Sequence, residues 1–149
     1  EGYCSDLQRT WYFLREDEEE APDEVLRAFE TVRDSIALAA EKIRPGMEGR
    51  EVDTIARSYI TSRGYEEFPH ALGHQVGRMV HDGAGLLCPE WDRYGNLPYL
   101  KIEEGQVYTP EPRIILEGYG VATIEEIIVV EKDGGRFLSH PQKEIFLIR

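Results

Sequence analysis

The sequence predicts an α+β domain, in which helices and strands occupy separate stretches of the chain. Two apolar repeats with helical spacing lie next to each other between residues 22 and 63. One strand-like stretch precedes them and four follow, so the elements do not alternate as they do in a βαβ protein. The 149 residues are enough for one domain with its own core.

The first predicted element is a strand over residues 7–14, LQRTWYFL, because aromatic and β-forming side chains dominate it. The acidic run REDEEEAPDE follows. It is typical of a solvated loop, and its charges favour the N-terminus of the helix that comes next.

Two amphipathic helices are predicted after this loop. Apolar residues at steps of three and four place the first over about residues 22–44 and the second over about residues 50–63. Pro22 suits a first helical turn, and a Pro-Gly pair ends the first helix. Gly64 suits the C-terminal end of the second.

The periodicity changes after the second helix. FPHALGHQVG has the alternation and glycine spacing of a strand that enters a tight turn. Residues 80–104 form a loop rich in glycine and proline, and a loop of that length in a compact domain is often functional. Three strand candidates close the chain, namely GQVYTPEPRIIL, VATIEEIIVVE and KEIFLIR.

Composition narrows the possible partners and the compartment. The net charge of −12 disfavours binding to a phosphate backbone, so no nucleic-acid partner is expected. No apolar run reaches 18 residues and no signal-peptide pattern opens the sequence, so no membrane partner is expected. The two cysteines, Cys4 and Cys88, do not form a disulfide framework, which fits a cytoplasmic location.

Two glutamate motifs place carboxylates in strands that should be buried. Glu111 stands between Pro110 and Pro112, which remove backbone donors on one side, so it is expected on a stiff, irregular segment. The Glu125-Glu126 pair interrupts an apolar strand, and one of the two faces the apolar side because adjacent residues point in opposite directions. A buried carboxylate needs a cation, and a metal ion is one candidate.

Asp6 and a cluster of histidines are further candidate metal ligands. Three of the four histidines, His70, His74 and His81, fall within twelve residues. Carboxylates with one or two imidazoles suit divalent ions such as Mn, Co, Fe or Zn. Each feature also has a plainer interpretation: a capping aspartate, a hydrogen-bonded polar histidine, or a glutamate pair at a solvent-facing strand edge.

Five segments, taken in order, resemble the metallopeptidase family that includes methionine aminopeptidase, aminopeptidase P and prolidase. They are GYCSDLQRT, IRPGMEGREV, FPHALGHQVGRMVHDG, EEGQVYTPEP and IEEIIVV. The spacing of the three histidines is most similar to that of the Xaa-Pro peptidases. The resemblance implies the pita-bread fold, a curved antiparallel sheet with helices on its outer face.

The resemblance also implies the metal ligands. Asp6 and Glu125 match the carboxylates that bridge two metals, His74 matches the single metal-binding histidine, and Glu111 matches a ligating glutamate. The complete domain is then expected to hold two Mn, Co or Zn ions, and this chain one.

Catalytic roles follow by the same resemblance. Glu111 matches the general acid/base, whereas His70 and His81 match histidines that contact the substrate and steady the tetrahedral intermediate. These roles agree with metal-assisted hydrolysis, in which a carboxylate shuttles a proton and imidazoles stabilise an oxyanion.

The sequence departs from the family in two places. Arg113 stands where the family usually has glycine, and Pro110 where a small aliphatic residue is usual. A further metal-binding aspartate, expected shortly before Asp6, is not in the sequence. Residues 1–149 are therefore expected to be the C-terminal portion of a pita-bread catalytic domain whose first part is missing.

The predicted function is that of a metal-dependent exopeptidase of the Xaa-Pro aminopeptidase or prolidase type. It would hydrolyse a peptide bond next to proline in a peptide or dipeptide with a metal-activated water, and the resemblance implies a homodimer. Two alternatives remain open at this point. One is a creatinase-like hydrolase of a small non-peptide C–N bond, and the other is an inactive fragment or binding module that keeps the fold.

Overall fold

The computed structural model describes residues 2–149, and its elements follow the predicted order of strand, two helices and strands. The helices are α1 (Asp23–Lys42) and α2 (Gly49–Ser62). The strands are β1 (Trp11–Phe13), β2 (Gly73–His74), β3 (Leu86–Leu87), β4 (Val107–Tyr108), β5 (Arg113–Leu116), β6 (Gly120–Thr123), β7 (Ile128–Glu131), β8 (Gly134–Phe137) and β9 (Phe146–Ile148). Neither helix of the described chain is long and apolar enough to cross a membrane.

Both predicted helices are confirmed to within two residues at each end. Pro22 occupies the N-cap of α1, just outside the helix. A reciprocal capping box between Glu48 and Glu51 starts α2 and satisfies backbone donors that no helical carbonyl can reach. Gly64 follows α2 with φ of +88°, a left-handed conformation that costs glycine little.

The strand predictions need several corrections. The predicted strand VATIEEIIVVE is divided into β6 and β7, with residues 124–127 between them. The predicted strand over residues 7–14 is regular only in β1, although Gln8 forms an isolated bridge with Glu125. The strand expected in FPHALGHQVG is limited to the two residues of β2. Strand β8 was missed because its two glycines resemble a turn, yet Gly135 lies where an added Cβ would come within 3.2 Å of the Ala40 carbonyl oxygen of α1.

Short antiparallel pairings build a curved surface from separate parts of the chain. Strands β5 and β6 pair with Arg113 opposite Thr123, and the Gln8–Glu125 bridge continues this surface on one side. On the other side, the Glu111 amide donates to the Leu72 carbonyl oxygen at 2.7 Å. Strand β1 pairs in parallel with β9 at the periphery.

The two helices pack against each other and against one face of this surface, where the core lies. Helix α1 contacts β5, β6 and β8. The largest fully buried apolar side chains come from both helices, the strands and the loops between them: Phe29, Ile36, Ile43, Ile60, Phe68, Leu72, Leu87, Ile102, Tyr108, Ile124 and Ile128. Because the helices occupy this face, the opposite face of the strands is free to carry polar side chains.

Candidate metal centre

Alternation along the strands separates the core from the polar face. Ile114 and Ile124 are buried among apolar residues of the core. Their neighbours Arg113 and Glu125 point to the opposite face because successive strand residues face opposite ways. Glu111, two residues before Arg113, lies on that same face, so Glu111 and Glu125 approach each other across neighbouring segments.

This polar face brings together residues that are far apart in the sequence. One ligand atom from each of Asp6, His74 and Glu125 lies within 4.8 Å of the others. Glu111 joins them, because His74 Nε2 is 3.7 Å from Glu111 Oε1 and 3.7 Å from Asp6 Oδ2. The four residues that the sequence predicts as metal ligands therefore converge at one place.

The backbone fixes which nitrogen His74 presents to this cluster. His74 Nδ1 lies 3.0 Å from the Gln75 carbonyl oxygen, which can only accept, so Nδ1 carries the proton. Nε2 therefore faces the carboxylates and is the nitrogen available to bind a metal. Gly73 permits this placement, because a Cβ there would lie 2.0 Å from the Thr109 carbonyl oxygen.

The electrostatics of the cluster fit a divalent cation. Burial, reinforced by the charges of Glu125 and Asp6, raises the pKa of Glu111 from 4.5 to about 8. Burial and the charge of Asp6 also raise the pKa of Glu125 to about 7. Glu125 Oε1 is buried without a hydrogen-bond partner among the described residues. A metal bound by these side chains would relieve both the repulsion and the unsatisfied oxygen.

The second glutamate of the pair, Glu126, has a cation of its own on the opposite face. Arg9 Nη2 lies 3.1 Å from Glu126 Oε2, and the Ser139 hydroxyl donates to the same oxygen at 2.8 Å. The Gln142 amide donates to Glu126 Oε1 at 2.9 Å. Both glutamates are 1% exposed, which excludes the interpretation of the pair as a solvent-facing strand edge. Glu125 is therefore the member of the pair that has no cationic partner among the described residues.

A cleft of about 340 Å³ opens beside the cluster, and both remaining histidines line it. The exposed His81 ring packs against His74, with ring centroids 4.2 Å apart. His70 is half-buried, and its Nδ1 donates to the Ala71 carbonyl oxygen at 2.8 Å. Burial lowers the pKa of His70, so its ring is neutral at neutral pH and its Nε2 is a hydrogen-bond acceptor.

A buried ion pair on α2 holds the histidine segment in place. Arg57 contacts Asp53 through two hydrogen bonds of 2.7 and 2.8 Å. The same guanidinium donates to the carbonyl oxygens of Phe68 at 2.6 Å and His70 at 2.8 Å, while Asp53 accepts from the Leu72 amide at 3.0 Å. The segment that carries His70 is thus fixed to the helix through its backbone.

Sequence reasoning missed four polar residues that line this cleft, namely Gln8, Tyr94, Arg113 and Thr123. Strand alternation could have indicated Gln8, Arg113 and Thr123, because each lies two residues from a predicted ligand and so on the same face. The Thr123 hydroxyl donates to Gln8 Oε1 at 2.9 Å. Tyr94 comes from a loop, and no sequence pattern indicates that it reaches the cleft.

The fold is of the pita-bread type. The chain belongs to metallopeptidase family M24, whose sequence profile matches residues 1–132. It is 34% identical to the Xaa-Pro dipeptidase of Lactobacillus helveticus over 149 residues, which are 99% of this chain and 37% of that protein.

Solved structures agree with the family. A dipeptidase from Pyrococcus horikoshii superposes with a TM-score of 0.82 at 31% identity, covering 98% of this chain and 38% of the other. An X-Pro aminopeptidase from Thermotoga maritima gives the same TM-score, identity and coverage. The predicted pita-bread fold is thereby confirmed. The chain spans less than two-fifths of the length of these relatives.

Proposed function

We propose that the protein containing this chain is a metal-dependent exopeptidase that hydrolyses the peptide bond next to proline. The convergence of Asp6, His74, Glu111 and Glu125 beside a cleft carries this proposal, because three carboxylates that lie this close together, one of them buried, repel one another and favour a bound cation. The names of its relatives, an Xaa-Pro dipeptidase and an X-Pro aminopeptidase, support the choice of substrate class.

These four side chains would hold the metal, and residues 1–149 would form the C-terminal portion of the catalytic domain. When bound, a divalent ion such as Mn, Co or Zn would polarise the scissile carbonyl and activate the attacking water. His74 would ligate through Nε2, the nitrogen left free by the bond from Nδ1 to Gln75. Glu125 would ligate through Oε1, which has no other partner among the described residues.

Glu111 is the proposed proton shuttle. Burial and two neighbouring carboxylates raise the pKa of Glu111 to about 8 in the metal-free chain, so its proton affinity is already high. A cation in the cluster would lower that pKa toward neutrality, where a carboxylate can both accept and return a proton. Glu111 would take the proton from the attacking water and give it to the leaving nitrogen.

The two cleft histidines would divide the contacts to the substrate. His70 presents an acceptor nitrogen, because its Nδ1–H is already bound to the Ala71 carbonyl oxygen, so it suits an N–H group of the peptide. The His81 ring makes no hydrogen bond with the described residues and can direct an N–H at the developing oxyanion.

The test uses the complete protein, purified and analysed for bound metal. Mn²⁺ or Co²⁺ is added, and hydrolysis of alanyl-proline, alanyl-alanine and creatine is followed by release of the products. Stoichiometric divalent metal and preferential cleavage of alanyl-proline are expected. Absence of bound metal together with no hydrolysis after metal addition would refute the proposal, and cleavage of creatine alone would support a hydrolase of a non-peptide C–N bond instead.

A further inference from the structure

The loop that carries His81 is exposed to solvent. Residues 78–81 are all exposed, and residues 76–85 contain no helix or strand. The His81 ring nevertheless lies against the His74 ring, with ring centroids 4.2 Å apart. Exposed loops have low local stability, so hydrogen bonds to the strand beside the loop decide how well His81 keeps this place.

Gln75, which follows His74 directly, joins this loop to strand β2. Its carbonyl oxygen accepts from the amide of Asp82, the residue after His81, at 3.1 Å, and it also lies 3.0 Å from His74 Nδ1. The Gln75 amide donates to the Gly85 carbonyl oxygen at 3.2 Å. One carbonyl group therefore contacts both the orienting nitrogen of His74 and the residue next to His81.

The side chain of Gln75 adds a hydrogen bond of its own. The Gly85 amide donates to Gln75 Oε1 at 2.7 Å, and because a backbone N–H can only donate, the oxygen of the carboxamide faces the loop. A Cβ at Gly83 would clash with this oxygen, and a Cβ at Gly85 would clash with the carboxamide carbon. The carboxamide is thus enclosed by two glycines, where a larger residue would displace it.

The residues before His81 have separate anchors. The Arg78 amide donates to Asp82 Oδ2 at 2.7 Å, and the Cys4 amide donates to the Gly77 carbonyl oxygen at 2.7 Å. Neither bond involves the carboxamide described above. Its removal would therefore loosen the side of the loop that follows His81 without unfolding the whole loop.

We propose that Gln75 is a positioning residue that keeps His81 beside His74 through its side-chain acceptor. This inference rests on the proposed function, in which His81 directs an N–H at the developing oxyanion. Without the bond to Gly85, the loop would move away from His74, and the donor would be aligned in a smaller fraction of the molecules. The ligand would stay in place, because the carbonyl that orients His74 belongs to the backbone and is retained in every variant of Gln75.

The experiment compares two side chains that differ in the acceptor. Gln75→Glu keeps Oε1, whereas Gln75→Met has a similar length and no oxygen. In the complete, metal-loaded protein, Gln75→Met should lower kcat for alanyl-proline about three- to tenfold, the effect of one neutral hydrogen bond, with little change in KM or bound metal. Gln75→Glu should retain most of the wild-type kcat.

Glu51→Met is the control for a purely structural acceptor. Glu51 Oε2 accepts from the Glu48 amide at 2.7 Å at the start of α2, and Glu51 does not line the cleft. The variant should lower the temperature of unfolding and leave kcat unchanged. A fall in kcat in Glu51→Met as large as that in Gln75→Met would overturn the inference, because loss of stability alone would then explain both.

A double variant tests whether Gln75 acts through His81. The oxyanion donor is already absent in His81→Ala, so adding Gln75→Met should lower kcat no further. A loss of the same size in both backgrounds would overturn the inference. Wild-type kcat in Gln75→Met, or an equal loss in Gln75→Glu, would do the same. Loss of bound metal in Gln75→Met would assign the effect to His74 instead.

Nuclear magnetic resonance separates this inference from the proposed function. In the zinc-loaded protein with labelled histidines, cross-peaks between the rings of His74 and His81 should appear in the wild type and in Gln75→Glu, and should weaken in Gln75→Met. This pattern without hydrolysis of any peptide would support the positioning by Gln75 and refute the peptidase proposal alone. Hydrolysis together with cross-peaks that are absent from the wild type, or unchanged in Gln75→Met, would leave the peptidase proposal intact and overturn the inference.

Discussion

Glu111 and Glu125 oppose each other on two neighbouring backbone segments, and each is within reach of Asp6. The Glu126 amide donates to the Pro110 carbonyl oxygen at 3.2 Å, which sets this register and places the two carboxyls on one face. Burial raises both pKa values, to about 8 for Glu111 and about 7 for Glu125; the charges of Glu125 and Asp6 add to the shift of Glu111, and the charge of Asp6 adds to that of Glu125. Without a metal, the cluster must therefore hold protons at neutral pH.

Metal-free protein should lose stability as the pH rises from about 5 to about 8. In this window the carboxyls of Glu111 and Glu125 are still protonated in the folded state, whereas in the unfolded chain they ionise near pH 4.5. The folded state thus binds more protons, and stability falls with increasing pH. Thermal unfolding in the presence of a chelator should show a midpoint several degrees lower at pH 8 than at pH 5.

Added Mn²⁺ should offset the loss of stability at high pH. The ion takes the place of the carboxyl protons of the cluster, and it binds more tightly as the pH rises and those protons dissociate. The midpoint should rise more at pH 8 than at pH 5. A chelated protein that becomes more stable over the same pH range would contradict the proposed cluster.

Glu111→Gln should lower catalytic activity without destabilising the folded protein. The amide cannot shuttle a proton, so hydrolysis should fall by at least about a hundredfold. It also removes one of the repelling carboxylates, so the metal-free variant should unfold at a higher temperature than the wild type at pH 8, and its midpoint should depend less on pH. Wild-type turnover in Glu111→Gln would exclude the role of Glu111 as the proton shuttle.

Among the polar interactions of the described residues, the ion pair between Asp53 and Arg57 should lower the free energy of unfolding most when it is broken. Asp53 is fully buried, and its loss would leave the Arg57 guanidinium with only the exposed Glu67 carboxylate, 3.4 Å away, as a counterion. Asp53→Asn is expected to lower the free energy of unfolding by about 3–5 kcal/mol, measured with urea. Asp34→Asn removes the exposed pair with Arg33 and should cost less than about 1 kcal/mol, so equal losses would contradict this account.

Local patterns in the sequence were enough to predict much of this fold. Both helices follow from apolar residues repeated at three and four positions, because that period places them on one face toward the core. The irregular position of Glu111 follows from its two flanking prolines, and β4 and β5 indeed end and begin on either side of residues 109–112.

Features that depend on tertiary contacts were not accessible in this way. The partners of Arg57 are backbone carbonyl oxygens, which no residue pattern displays. The counterion of Glu126 is Arg9, near the other end of the chain, so the sequence could not tell which glutamate of the pair faces the cluster. The assignment of Asp6, His74, Glu111 and Glu125 as ligands came from the resemblance to a family and stays a prediction until metal is measured.

His81→Ala should lower turnover more than metal content. The His81 ring lies against His74 and lines the cleft, but it is not among the residues whose ligand atoms converge. Its removal takes away a donor for the oxyanion, so kcat should fall by about tenfold or more while bound metal stays close to the wild-type amount.

His74→Ala removes a ligand and should lose metal and activity together. His140→Ala, an exposed histidine outside the cleft, should change neither. Metal content measured by atomic absorption beside kcat decides between these outcomes, and equal metal loss in His81→Ala and His74→Ala would contradict the separate roles of the two rings.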